Sequence, residues 1–171
     1  MRCPACGFDN LIGSDVCDNC GADLAGRDVP EAATSYRSPL LGEHLDELMH
    51  EVNVGRPDVL DASAEVDAAV QVMHANGSDC VLVVEDGRLV GIFTDRDAVL
   101  KVAGQHGGDH RPIRELMTHD PVVLRHDETI AVAINKMAVG GFRHIPIVED
   151  GRPTAVVSAR DVFRHLAQSL G

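Results

Sequence analysis

The sequence predicts an α/β (α+β) chain in which one βαββα unit is used twice in a pseudo-two-fold module, behind a small cysteine-rich module at the N-terminus. Three observations carry this prediction. Residue identities recur at a constant separation of 64, as in Gly87 and Gly151 or Asp97 and Asp161. Within each copy the apolar spacing switches between helical and strand periods. Two Cys-x-x-Cys turns open the chain. The boundaries that follow are residues 1–26 for the cysteine module, 27–38 for a linker, and 39–105 and 106–171 for the two units.

The first element is Cys3-Pro4-Ala5-Cys6 followed by Cys17-Asp18-Asn19-Cys20, with Gly7 and Gly21 at matching places after each pair. Each turn presents two thiolates, and glycine supplies the left-handed backbone that such a knuckle needs. Cys3, Cys6, Cys17 and Cys20 together form the tetrahedral sulfur shell that Zn²⁺ prefers, with iron as the rival metal. A segment this short cannot fold on its own apolar surface, so the metal would stabilise it by about 10–16 kcal/mol. Disulfides fit poorly with a start that lacks an apolar signal core. Redox chemistry fits poorly because no strand pattern precedes Cys3. The run from Cys3 to about Leu24 resembles the zinc ribbons attached to many prokaryotic proteins. Four sulfurs leave no open position for metal catalysis. Residues 1–30 hold Arg2 and Arg27 against five aspartates, which favours protein docking over nucleic acid.

After a stretch of Gly, Pro, Ser, Thr and charge, the repeat begins. Two lead-in segments, Leu40–Met49 and Pro112–Met117, end alike on Glu-Leu-Met and predict short helices. Pro121-Val122-Val123-Leu124 predicts a short strand. Helices follow on Val66, Ala69, Val70 and Met73 and on Ile130, Ala133, Ile134 and Met137, spaced i, i+3, i+4, i+7. Asn76-Gly77 and Gly140-Gly141 end them. Strands are predicted over Cys80 to Val84 and Ile145 to Val148, each leading through an Asp-Gly hairpin turn to a second strand, Leu89 to Phe93 and Thr154 to Val157. A last helix carries Ala98, Val99 and Val102 in one copy and Val162, Phe163 and Leu166 in the other.

This order, with Gly91-Ile92-Phe93-Thr94-Asp95-Arg96-Asp97 at the end of a strand and Met117-Thr118 ahead of Pro121-Val122, resembles the cystathionine-β-synthase (CBS) domain. Two in tandem form a Bateman module, and the likeness runs from about Leu40 to Leu170. Ala155 departs from the pattern, which has glycine there, and would narrow the cleft beside it.

Composition bounds the function. Hydrophobic residues are 44% and aromatics 3%, so aliphatic side chains and Met must fill the core. No apolar run approaches the roughly 18 residues of a membrane span. The expectation is a soluble, cytoplasmic protein with no membrane partner. A net charge of -12 argues against general nucleic-acid binding. No Ser-His-Asp or Cys-His set, Walker loop or Rossmann glycine pattern stands on a plausible scaffold, so an enzyme is not expected.

Thr94-x-x-Asp97 and Ser158-x-x-Asp161 each read as a helix-capping motif. What the resemblance implies is a second use: ribose held by Asp97 or Asp161 with Thr94 or Ser158 assisting, and phosphate near Arg96 or Arg160. It further implies adenine along Thr118, Asp120 and Val122, and phosphate near Arg143 and His144, with Ile145 and Pro146 completing the set. Since the first copy has Asp79 and Cys80 where the second has Arg143 and His144, the stronger site is expected around Asp161 and a weaker or empty one around Asp97. His106, Asp109 and His110 are better read as a solvated loop than a metal site, and Cys80 as buried filler. The resemblance also implies a homodimer. The leading reading is a regulatory sensor of an adenine nucleotide (AMP, ADP, ATP or S-adenosylmethionine) with an unidentified protein partner. The alternatives are a nucleic-acid-associated regulator acting through the ribbon and a scaffold with empty sites.

Overall fold

Each unit is completed by the other unit's lead-in segment. The chain is described by a computed structural model over residues 2–8, 16–24, 42–102 and 110–169. The linker at 27–38, with His106 and Asp109, lies outside the described residues. The first lead-in forms α1 (Gly42–Leu45) and a 3₁₀ turn, Met49–Glu51. It docks on the second unit: the Ile130 N–H donates to the Glu47 carbonyl (2.9 Å) and the Met49 N–H to that of Glu128 (2.8 Å). The second lead-in, with its 3₁₀ turn Ile113–Glu115, docks on the first unit in the same way. There the Val66 N–H donates to Arg111 (3.0 Å) and the Ile113 N–H to Ala64 (2.8 Å).

The cores obey this exchange. Met49 and Val52 are buried with Leu124, Ile130, Ile145 and Val157 of the second unit. Ile113 and Met117 are buried with Val66, Val81, Val83 and Phe93 of the first.

The first unit continues with β1 (Val59–Asp61), α2 (Val66–Asn76), β2 (Cys80–Glu85) and β3 (Arg88–Thr94). Strand β1 runs parallel to β2 and β3 antiparallel to it. The hairpin turn uses Asp86 and Gly87 at φ 51° and 76°, which tight two-residue loops require. The periodic residues Val66, Ala69 and Met73 face the core as the spacing predicts, while Val70 is half exposed. Gly77 ends α2 in the left-handed conformation, at φ 64°.

The next helix differs from expectation. It is a single α-turn, α3 (Asp95–Asp97), followed by a π-helical turn, Ala98–Val102, in which Val99 points to solvent at 66% exposure.

The second unit comprises β4 (Thr118–His119), α4 (Ile130–Gly140), β5 (His144–Glu149), β6 (Arg152–Ser158) and α5 (Ala159–Ser169). The strand expected at Pro121–Leu124 does not form; only Leu124 makes a bridge, to Ile147. That bridge repeats the Leu60–Val83 pairing of β1 with β2, 64 residues on. The extended pairing falls earlier instead: β4 adds to the first unit's sheet, with His119 opposite Gly91 and Thr118 opposite Ile92. The sheets are therefore β1-β2-β3-β4 and β5-β6. Gly91 permits the approach, since a Cβ there would stand 2.2 Å from Met117 Sδ. At the equivalent place Ala155 carries a methyl, and among the described residues no strand lies outside β6.

The two hairpins touch reciprocally. The Arg152 guanidinium lies against Gly87, that of Arg88 against Gly151, and the Leu89 N–H donates to the Gly151 carbonyl (2.9 Å). No helix among the described residues is long and apolar enough to cross a membrane.

Candidate functional site

The N-terminal sulfurs are set by two copies of one turn. The Cys3 N–H donates to the Phe8 carbonyl and the Gly7 N–H to that of Cys3, both at 2.8 Å. The Cys17 N–H donates to Ala22 and the Gly21 N–H to Cys17, both at 2.9 Å. Gly7 and Gly21 take φ of 75° and 68°, so both turns need glycine. Cys3 Sγ lies 3.7 Å from Cys20 Sγ and Cys6 Sγ 3.6 Å from Cys17 Sγ, too far for disulfides. All four sulfurs lie within 4.8 Å of one another. A tetrahedron with metal–sulfur arms of about 2.3 Å has edges of about 3.8 Å, so this donor set fits one metal ion. The Ala22 N–H favours the Cys20 thiolate, but the Cys6 sulfur, desolvation and the sulfurs of Cys17 and Cys3 together outweigh it and push that thiol up to about 12. A dication among the four would reverse this balance.

Both predicted capping motifs form. The Thr94 N–H and hydroxyl donate to Asp97 Oδ2 at 3.0 and 2.7 Å, and the Asp97 N–H returns a bond to the Thr94 hydroxyl. Ser158 and Asp161 repeat the pattern at 2.9 and 2.6 Å. The second carboxylate oxygen differs between the copies. Asp97 Oδ1 meets Lys101 Nζ at 2.8 Å, and Lys101 also donates to the Leu116 carbonyl; Asp161 Oδ1 has Arg164 at 3.4 Å.

A cavity of about 370 Å³ opens beside Thr94, Arg96 and Asp97. It is also lined by Asp95, by Thr118, Asp120 and Val122, and by Arg143 and His144. The expectation from sequence joined Thr118, Asp120 and Val122 to Asp161, whereas these three lie with Asp97; Arg143 and His144 line this cavity and also the one beside Ser158 and Arg160. The lead-in exchange is the reason. Pairing of β4 with β3 carries Thr118 onward along the first unit, so the candidate adenine edge meets the first unit's carboxylate.

A second cavity, about 250 Å³, is lined by Ser158, Ala159 and Arg160 with Asp79 and Asp95, and it shares Arg143 and His144 with the first. Asp161 lines neither of these two cavities. Ile145 and Pro146 are buried in β5, Ile145 within the core, and neither lines either of these two cavities. Ile92, Pro121 and Phe142, which also line the first cavity, carried no signal beyond their apolarity.

The electrostatics of the shared wall are mixed. Burial lowers the His144 pKa, Asp79 and Asp95 raise it, Arg143 lowers it and Asp161 raises it, leaving the ring below its ordinary value. Burial, followed by the charge of Asp79, pushes the Cys80 thiol up to about 12, which suits a packed and unreactive cysteine. His110 pairs with Glu65 at 2.8 Å, away from either cleft.

The CBS-domain family model matches residues 46–104 and 113–168. The chain therefore belongs to the CBS-domain family, whose paired domains are generally regulatory modules. An uncharacterized 17.7 kDa protein of Acidianus ambivalens is 34% identical over 116 residues, 67% of each chain. CBSCBSPB5 of Arabidopsis thaliana is 35% identical over 104 residues, 60% of this chain but only 18% of that much longer protein. Among solved structures, a CBS-domain-containing protein from Agrobacterium tumefaciens superposes with a TM-score of 0.64 at 29% identity, covering 71% of this chain and 94% of the other. A CBS domain protein from Pyrobaculum aerophilum, solved with AMP, gives 0.62 at 20% identity over 71% and 99%. The domain pair of protein MJ0100, solved with 5′-methylthioadenosine and S-adenosyl-L-methionine, gives 0.65 at 22% over 71% and 97%.

Proposed function

We propose that this protein is a non-catalytic regulatory sensor that binds an adenine nucleotide in the cavity beside Thr94 and Asp97. The observation that carries this reading is the convergence on one cavity of three kinds of group. Asp97 offers a carboxylate to ribose hydroxyls, Thr118 to Val122 offers a half-apolar edge to a base, and Arg143 with Arg96 offers charge to a phosphate. A volume of about 370 Å³ suits a ligand of this size. Relatives of the same fold, solved with AMP or with S-adenosylmethionine, support the ligand class. Binding changes the relation of the two units because the cavity wall is drawn from both.

The four cysteines hold a structural Zn²⁺ in this reading, and the acidic ribbon docks a protein partner rather than nucleic acid. Chains pair through the last helices, where Val99, Leu100 and Phe163 stand 66%, 75% and 72% exposed.

Titration calorimetry with AMP, ADP, ATP and S-adenosylmethionine tests the nucleotide reading. Asp97→Asn is expected to weaken the preferred ligand by about 10–100-fold, the loss of hydrogen bonds to a charged group. Asp161→Asn should change it little. Equal losses, or no binding by any of the four, would reject the assignment.

A further inference from the structure

The two cavities are not independent, and the chain has only one of the cationic elements that a symmetric pair would hold. Arg143 and His144 line both cavities, and so does Asp95. Sixty-four residues earlier, the positions of Arg143 and His144 are held by Asp79 and Cys80. Cys80 is 4% exposed and cannot offer a group to a ligand, whereas Asp79 lines the second cavity. The backbones of the two segments are held alike. The Ala159 N–H donates to the Arg143 carbonyl and the Asp95 N–H to the Asp79 carbonyl, each at 2.9 Å. The repeat thus keeps its geometry and reverses its charge.

A phosphate in the first cavity engages Arg143. The second cavity is then left with Arg160 against Asp79, which lines it alone, and Asp95, which lines both, beside a phosphate already in place. Like charges brought together in this way disfavour the second anion. We infer that Arg143 and His144 form a single phosphate-binding element shared by both cavities, so that each chain binds one nucleoside monophosphate and Asp79, which lines the second cavity and not the first, disfavours another there. This rests on the nucleotide reading of the first cavity and adds to it the stoichiometry and the residues that set it. By linkage, an anion forced into the second cavity must weaken the first to the same degree.

Calorimetric titration with AMP as the probe, over wild type and the Asp79→Arg/Asp95→Ala double variant, decides the matter. The variant gives the first copy the residues of the second, since Arg143 and Ala159 occupy the equivalent positions. Wild type is expected to take one AMP per chain, any second event being at least about a hundredfold weaker. The double variant, if its melting curve matches wild type, should take two. Two AMP molecules of similar affinity on wild type would overturn the shared element while leaving the nucleotide reading intact, and that measurement does not depend on the variant folding. A correctly folded double variant that still binds one would also overturn it. No AMP bound by wild type would overturn both.

Discussion

Gly91→Ala places a methyl where the exchanged lead-in crosses the first unit's sheet. Its Cβ would lie 2.2 Å from Met117 Sδ, 2.8 Å from Cγ and 3.0 Å from Cε, and the first two are closer than Cβ atoms approach any non-bonded neighbour. Met117 is flexible, but it is 6% exposed and packed among Val66, Val81 and Phe93, so it cannot yield without leaving the core. Overpacking of this kind costs about 1–3 kcal/mol. Met117→Ala alone removes a buried side chain and costs about 2–5 kcal/mol. In the double variant the new methyl enters space that Met117 has vacated, so its cost falls below the sum of the single costs by about 1–3 kcal/mol. Denaturant unfolding of the four proteins measures this coupling directly. The second copy supplies a control, since Ala155 already carries the methyl and its equivalent of Met117 is Asn53. Gly91→Ala should also weaken AMP, because Met117 leads directly into Thr118 on the cavity wall. Costs that add within about 0.5 kcal/mol would show that Gly91 and Met117 do not meet, and the lead-in exchange would fall with them.

Two further predictions concern the titratable groups. Burial, helped by Arg143, lowers the His144 pKa in the folded chain against the opposing pull of Asp79, Asp95 and Asp161, so near pH 6.5 the unfolded chain binds more protons at this ring than the folded one. Its contribution is present above the unfolded value and is lost as pH falls through the folded one. Ligand-free stability measured between pH 7.5 and 5.5 should therefore decline more steeply in wild type than in His144→Gln, and identical slopes would contradict the burial of the ring. Treatment with a strong zinc chelator should release one metal ion per chain, measured with a chromogenic dye, and expose residues 1–26 to limited proteolysis without altering AMP affinity. An N-terminal segment that stays protease-resistant once stripped of metal would refute metal-driven folding.

Much of this molecule is written in local sequence. The i, i+3, i+7 residues Val66, Ala69 and Met73, and Ile130, Ala133 and Met137, announce the buried faces of α2 and α4 because the helical period places them on one side. Asp-Gly turns, the glycine helix ends and the Thr94–Asp97 and Ser158–Asp161 caps involve partners at most a few residues apart, so residue type alone specifies them. The four sulfurs are likewise legible, since two short turns bring them together. The π-helical turn at Ala98–Val102 was not, because a single helical turn too short to show a period carries no distinguishing pattern.

Tertiary structure alone decided which site residues share a cleft. Thr118, Asp120 and Val122 belong to the second copy by sequence but lie beside Asp97 of the first, because β4 pairs with β3. An internal repeat states that two units are alike; it does not state whether each lead-in stays with its own unit or crosses to the other. By repeat symmetry both arrangements bury the same kinds of side chain and use the same backbone hydrogen bonds, so the distinction rests on long-range contacts such as Ile130 N–H to the Glu47 carbonyl, which no local periodicity records.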